Sequence, residues 1–400
     1  MSFTAFYRRA NQILKEKFPT AGELSPTVDL EFLISPHRLR LPKSILSKVE
    51  PAIRAHYEVC RGSDYVAGRR TQHLPLAKLE PRPDSVLMAY DFHTTTDGKA
   101  YLVEVNTNAS MYLIGLLLEG AHGKTAQWQG VDTEESLWSS FQSEWTASGR
   151  SGKAHVAICD DDIPQQKMLV EFLMYQDWFA SHGWSARLCE GSSFQIQNSV
   201  LCDDQGTKVD FVYNRLTDFL LEDPRFQNLH RAYVDQLAVI SPHPWAYDLL
   251  ADKGRLADMC RPGWLESIGA RPEISAALRE VLIPTYTLNE LGGAEEVWSQ
   301  RKNLFFKPRA SHGGKSVYRG SSVSRKVFER MMQEDTIVQE FIPAQAWPTG
   351  AVDSYMENWK FDLRFYVYRD QIQMAVARSY QGQVTNFASR FGGLTAIDFI

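Results

Sequence analysis

Residues Asp97-Gly98 stand between two β-rich runs, 86–92 and 100–106, and dictate a hairpin. A hairpin fixes register, and register fixes which side chains meet. With Asp97-Gly98 as a two-residue loop, Asp91 falls directly opposite Glu104 on one face, their side chains roughly 5 Å apart. Asn106, two residues past Glu104, projects from that same face. Like charges opposed across a sheet destabilise it unless something compensates. A divalent cation would do so, and a hard ion such as Mg²⁺ takes carboxylate and amide oxygens. Taken alone, the three residues also read as the solvent face of a two-sided hairpin.

The remaining chain reads in blocks. At 400 residues it exceeds one ordinary core and implies two or three domains. Residues 1–84 look mostly helical, with Ile45, Leu46, Val49, Ile53 and Tyr57 at helical spacing over 42–60 and a Pro-rich break at 74–83. A polar stretch at 130–152 marks a boundary. Strand, helix and strand then alternate over 154–160, 164–182 and 185–189, with further strands at 209–214 and 237–241, which argues a parallel α/β layer. After Pro284 the pattern turns antiparallel, with strands at 304–308, 316–319, 336–341, 361–368 and 371–378 and a helix at 323–332. The fold class expected is therefore α/β together with α+β, in segments 1–150, 151–245 and 246–400.

Charge and cysteine usage narrow the function classes. Net charge is −5 with 43 basic residues, unlike a general nucleic-acid binder. The apolar stretch 105–118 is too short to span a bilayer, and residues 1–18 have no continuous apolar core, so neither membrane insertion nor secretion is expected. Five dispersed cysteines without a C-x-x-C pair read as reduced thiols in a cytoplasmic protein.

Chemistry-bearing residues recur in the last third. Lys307 ends an apolar strand and leads into a basic loop with Ser311, Gly313, Gly314 and Lys315. It is not a Walker A loop, because Arg309 stands where that motif needs glycine and the loop joins two strands. Glycines there let backbone N–H groups approach phosphates, with lysines supplying charge; an ordinary hairpin with solvated basic residues fits equally. The strand 337–342 carries Gln339, Glu340 and Ile342. The alternating run 361–367 puts Asp362 and Arg364 on one face, as a salt bridge or as a site. Arg378 lies opposite Asp362 if the loop near Asp370 has three residues, and not if it has two.

Together these pieces resemble the ATP-grasp superfamily of carboxylate–amine ligases. The resemblance makes Lys307 the nucleotide lysine and 311–320 the flexible glycine-rich loop. It gives Gln339, Glu340 and Ile342 to adenine and ribose, matches Asp362-Leu363-Arg364 to the family's Asp-x-Arg strand, and matches Arg378 and Asn386 to its later basic residue and Asn. Asp91, Glu104 and Asn106 match its metal set. The metal hairpin comes before the lysine here, whereas in most members it comes last. The chain thus looks circularly permuted, in the sense of eukaryotic-type glutathione synthetase, and the resemblance covers residues 85–112 and about 245–393.

The resemblance implies a permuted ATP-grasp fold with a central Rossmann-like substrate domain, and ATP and Mg²⁺ as cofactors. It implies amide or peptide-like bond formation through an acyl phosphate, with Arg364, Arg378 and Lys315 acting on the γ-phosphate and acyl phosphate. Arg215 follows a strand end, where α/β proteins bind ligands, and is a candidate clamp for a substrate carboxylate or a structural arginine. Asp160-Asp161-Asp162 at another strand end recognises an amine or caps the next helix. The partners expected are a small-molecule or peptide carboxylate and an amine. Oligomeric state and substrate identity are not legible in the sequence. The competing reading is a nucleotide-binding regulatory or partner-binding module without turnover; a third is an enzyme that phosphorylates or adenylates its target.

Overall fold

The computed structural model describes residues 1–24, 27–72, 84–309, 318–347 and 358–400. Helix Phe3–Lys17 opens the chain and is followed by strand β1 (Ile34–Leu41). Helices Leu46–Arg61 and Ser63–Gln72 precede the hairpin of β2 (Met88–Thr94) and β3 (Ala100–Asn106). The middle of the chain contributes β4 (His155–Asp160), helix Leu169–Ser181, β5 (Ser185–Glu190), β6 (Phe211–Asn214) and β7 (Val239–Ser241). Then come short helices up to Pro272–Val281, followed by β8 (Thr285–Thr287), β9 (Leu304–Pro308), β10 (Tyr318–Arg319) and β11 (Thr336–Glu340). Strands β12 (Gln345–Ala346), β13 (Lys360–Tyr368), β14 (Gln371–Tyr380) and β15 (Gly393–Phe399) close it.

Among the described residues three sheets have four or more strands, in a mixed α/β architecture, and two short hairpins form two-stranded sheets of their own. The largest runs β1-β15-β14-β13-β2-β3, with β12 also on β13. Its β1–β15 pair is parallel and the rest antiparallel, so both ends of the chain meet in one sheet. The hairpin near residue 100 thereby joins the strands near residue 370. The second sheet, β7-β6-β4-β5, is wholly parallel, as strand–helix alternation requires. The third, β8-β11-β9-β10, is antiparallel. The apolar stripe of helix Leu46–Arg61, with Val49 and Ile53 fully buried, shares a core with Tyr90, Phe92 and Phe365 of the large sheet.

Some expectations needed correction. The described part of the first 84 residues is mostly helical but also holds a strand: β1 alternates buried and more exposed positions along most of its length, and Pro36 and four polar residues mask its period. The polar stretch expected as a boundary holds helix Thr133–Ala147, whose Leu137 and Phe141 are fully buried. Most of its polar residues lie on the outer face of the helix, while Thr133, Ser140 and Glu144 are buried with the apolar ones. The strand at 316–319 is described only from Tyr318. The Pro-rich break at 74–83 lies outside the described residues.

The first hairpin departs from the assumed loop, the second has the shorter of the two loops considered, and both are reset by a bulge. Thr94 pairs with Ala100, so five residues connect β2 and β3 instead of two. Continued unchanged, that register would have put Asp91 opposite Val103. A bulge between Asp91 and Phe92 leaves Val103 without a ladder partner and restores Asp91 opposite Glu104. In the second hairpin Tyr368 pairs with Gln371 across a two-residue loop, yet Asp362 faces Arg378. There Gln373 is the extra residue, between the Tyr366–Met374 and Val367–Ile372 pairs.

Candidate active site

Register carries five charged side chains onto one face of the large sheet. Glu104 of β3 faces Asp91 of β2, Asp91 faces Arg364 of β13, and Asp362 of β13 faces Arg378 of β14. Asp91 is fully buried. Arg364 donates to it bidentately, Nε to Oδ1 and Nη2 to Oδ2, both at 2.7 Å. Arg378 Nη2 lies 3.0 Å from Asp91 Oδ2, and Arg378 also grips Asp362 through Nε at 2.7 Å and Nη2 at 2.9 Å. Thr385 donates its hydroxyl to Asp362. Burial alone would push the Asp91 carboxyl up; the Arg364 and Arg378 guanidiniums outweigh it and hold it at about 2.

Lys307 reaches this face from the third sheet. Its ammonium donates to the Val103 carbonyl at 3.0 Å and to Gln339 Oε1 at 2.6 Å. Val103 is the bulge residue, so its carbonyl is free of the ladder and available to the lysine. Gln339 is held in turn by donating to Thr285 Oγ1 at 3.1 Å. Lys307 is only 5% exposed. Burial pulls it down to about 8, against the pull of Glu104 and Asp91 and with the repulsion of Lys253. Among the described residues this buried ammonium is held by neutral oxygens, with no carboxylate in direct contact.

The donor set can be tested against Mg²⁺. Asn106 Nδ2 donates to Asp91 Oδ2 at 3.2 Å and to Glu104 Oε1 at 3.3 Å, bridging the two carboxylates. The compensation for their opposed charges is thus supplied by two guanidiniums and an amide. Among the described residues no group of three or more His, Cys, Asp or Glu side chains is arranged to hold a metal. Two carboxylates and one amide oxygen are nevertheless hard donors. Mg²⁺ commonly takes one or two protein carboxylates and fills its shell with water and phosphate oxygens. Glu104 and Asn106 are half-buried, and turning the Asn106 amide over presents Oδ1, so the residues fit such an ion.

The other residues singled out by sequence divide. Ile342 joins the site, because its carbonyl accepts from His93 Nδ1 at 2.9 Å and ties the end of β11 to β2. Glu340 is exposed. Asn386 is half-buried and donates to the Gln381 and Val384 carbonyls of its own loop, while its neighbour Thr385 contacts the cluster. Ser311, Gly313, Gly314 and Lys315 lie outside the described residues.

Arg215 is 7% exposed and emerges from the carboxyl end of β6. It donates to Asn108 Oδ1 and, at 3.3 Å, to the Ala109 carbonyl, so it contacts the segment just past β3. Among the described residues its Nε has no hydrogen-bond partner. Asp160, at the end of neighbouring β4, is pushed up to about 6 by burial, with Arg215 opposing.

Two side chains escaped the sequence reading. Lys253 precedes helix Gly254–Cys260; burial lowers its pKa against the pull of Glu104 and Asp252, which places it at the cluster. No spacing rule links it to a hairpin 150 residues earlier. His93 was legible, since it lies two residues after Asp91 on the same strand face.

No family model matches the chain, and no curated protein matches its sequence. Among solved structures it is similar to a protein of Methylobacillus flagellatus KT provisionally named a gamma-glutamylcysteine synthetase. Identity is 9%, the TM-score is 0.45, and the match covers 86% of this chain and 87% of that one. A likeness of that size carries no argument about function.

Proposed function

We propose that the chain is an ATP-dependent carboxylate–amine ligase built as a circularly permuted ATP-grasp enzyme, releasing ADP and phosphate. One observation carries the reading. Three carboxylates (Asp91, Glu104, Asp362) and three cations (Lys307, Arg364, Arg378) converge from two sheets, and Lys253, ahead of helix Gly254–Cys260, feels the charge of Glu104. That mixture suits a polyanion arriving with a divalent cation.

In this reading Lys307 and Lys253 hold the inner phosphates, Lys315 joins them from the glycine-rich loop, and Gln339 with Ile342 borders the nucleotide base. Bound Mg²⁺ would neutralise charge on the phosphate oxygens, with Asp91, Glu104 and Asn106 as its protein ligands. Arg364 and Arg378 orient the transferred phosphoryl group. The substrate carboxylate oxygen bonds to the γ-phosphorus as the bridging P–O bond to ADP breaks. The amine nitrogen then attacks the acyl carbon, phosphate leaves, and the nitrogen loses a proton. Arg215 clamps a substrate carboxylate at the edge of the parallel sheet, and Asp160 faces an ammonium. No nucleophilic side chain is needed, because the cations lower the barrier by stabilising charge on the phosphoryl group.

The test is ADP release from ATP and Mg²⁺ over a matrix of amino acids and short peptides. Release that needs both a carboxylate and an amine supports ligation. Turnover without an acceptor amine makes the chain a phosphorylating or adenylating enzyme. Nucleotide binding with no turnover makes it a regulatory module.

A further inference from the structure

A cavity of about 370 Å³ lies between helix Ser63–Gln72, helix Gly254–Cys260 and the segment after it. None of the carboxylates and lysines assigned above lines it. Arg255 lines it while being only 6% exposed. Its Nη1 lies 3.0 Å from Asp258 Oδ2, but the other oxygen of Asp258 is taken by Arg261 Nη1 at 2.7 Å. That carboxylate serves two guanidiniums, Asp252 and Asp248 attract Arg255 from further off, and among the described residues Arg255 Nε is buried without a hydrogen-bond partner. A buried polar group left unmade costs about 1–3 kcal/mol, which an incoming oxyanion would recover.

The rest of the wall says which oxyanion. The wall carries both signs, Arg69, Arg261 and Arg309 beside Arg255 and Asp64 beside Asp258, so a zwitterion finds a partner for each of its charges, which phosphate does not. Trp264 and Ile268 supply an apolar surface. Gly68 supplies room, since a Cβ placed on it meets nothing within 4 Å. We propose that this cavity binds a free amino acid, its carboxylate on Arg255, its ammonium facing Asp64 and Asp258, and its side chain against Trp264 and Ile268. This goes beyond the ligase reading and does not depend on it, because the site needs no nucleotide.

Isothermal titration of the full chain without nucleotide tests it, using L-leucine and L-glutamate as probes and acetate and inorganic phosphate as comparison anions. At least one amino acid binds saturably, and acetate and phosphate bind more weakly. Arg255→Gln lowers the affinity by about tenfold or more, as loss of a charge-assisted hydrogen bond does. Gly68→Leu fills the cavity without touching a guanidinium, and replaces a poor helix former. It abolishes the same binding in a protein that stays folded, so the test survives if Arg255→Gln does not fold. Arg215→Lys retains it, which separates this site from the strand-end clamp. The proposal is overturned if neither amino acid binds, if phosphate binds more tightly than both, or if the Gly68→Leu isotherm matches wild type.

Discussion

Lys307→Met should change the pH dependence of folding in a defined direction. In the folded protein the Lys307 ammonium titrates at about 8, against an ordinary 10.5. Between those values the unfolded chain keeps the proton that the folded chain has lost. Stability rises with pH wherever the unfolded state binds more protons, so wild type gains stability from Lys307 as pH climbs through this window. The penalty is fully present below pH 8, at about 3 kcal/mol, and roughly 2 kcal/mol of it is relieved by pH 9.5. Other groups titrate in the same range, but they cancel in the difference between wild type and Lys307→Met. Guanidinium unfolding of both proteins at pH 7 and pH 9.5 reads that difference; wild type should gain about 2 kcal/mol on the variant. Nucleotide affinity should run the other way, falling in wild type by up to about tenfold per pH unit above 8 as the ammonium is lost, and staying flat in the variant. Parallel stability curves for the two proteins would refute a buried, depressed lysine and remove the phosphate role built on it.

Glu104→Gln should cost less than about 1 kcal/mol in stability, because Glu104 is half-buried and an amide can keep its contacts with Asn106 and Asp91, yet it should abolish Mg²⁺-dependent ADP release. Asp91→Asn should cost about 3–5 kcal/mol, since it leaves the buried Arg364 guanidinium without its carboxylate and takes one of two carboxylates from Arg378, and chemical denaturation separates the two variants. The Asp91 carboxyl titrates at about 2, below its ordinary 3.8. Its contribution is therefore full above about pH 4 and lost as pH falls through 2, so Asp91→Asn should flatten the acid side of the stability curve. Arg215→Lys should raise the KM of the carboxylate or amine substrate while ATP affinity holds; loss of ATP affinity instead would make Arg215 structural.

Much of this arrangement was legible, and the reasons are local. Strand–helix alternation over residues 154–241 announced the parallel sheet, because each crossover needs a helix. The alternation of Asp362 and Arg364 announced a shared face. Strand β1 was hidden because Pro36 and its neighbours dilute an edge strand whose order comes from pairing with β15, more than 350 residues away. Lys253 was hidden for the same reason: its partner Glu104 is near in space alone.

The hairpins show where local rules stop. Loop length sets register only at the loop, and each hairpin here inserts one residue between its loop and its charges. Without the first bulge, Asp91 would face Val103 and Glu104 would turn to the other side of the sheet. Without the second, Arg378 would leave the face of Asp362. The extra residues also have partners of their own. The carbonyl of Val103 takes the Lys307 ammonium at 3.0 Å, and that of Gln373 takes the Thr133 hydroxyl at 3.2 Å. A bulge therefore does two things at once: it aims the carboxylates, and it frees a backbone oxygen to hold the lysine that faces them. A turn signal cannot encode that, because the bulge is favoured by contacts with β9 and helix Thr133–Ala147, which approach only when the whole chain is folded.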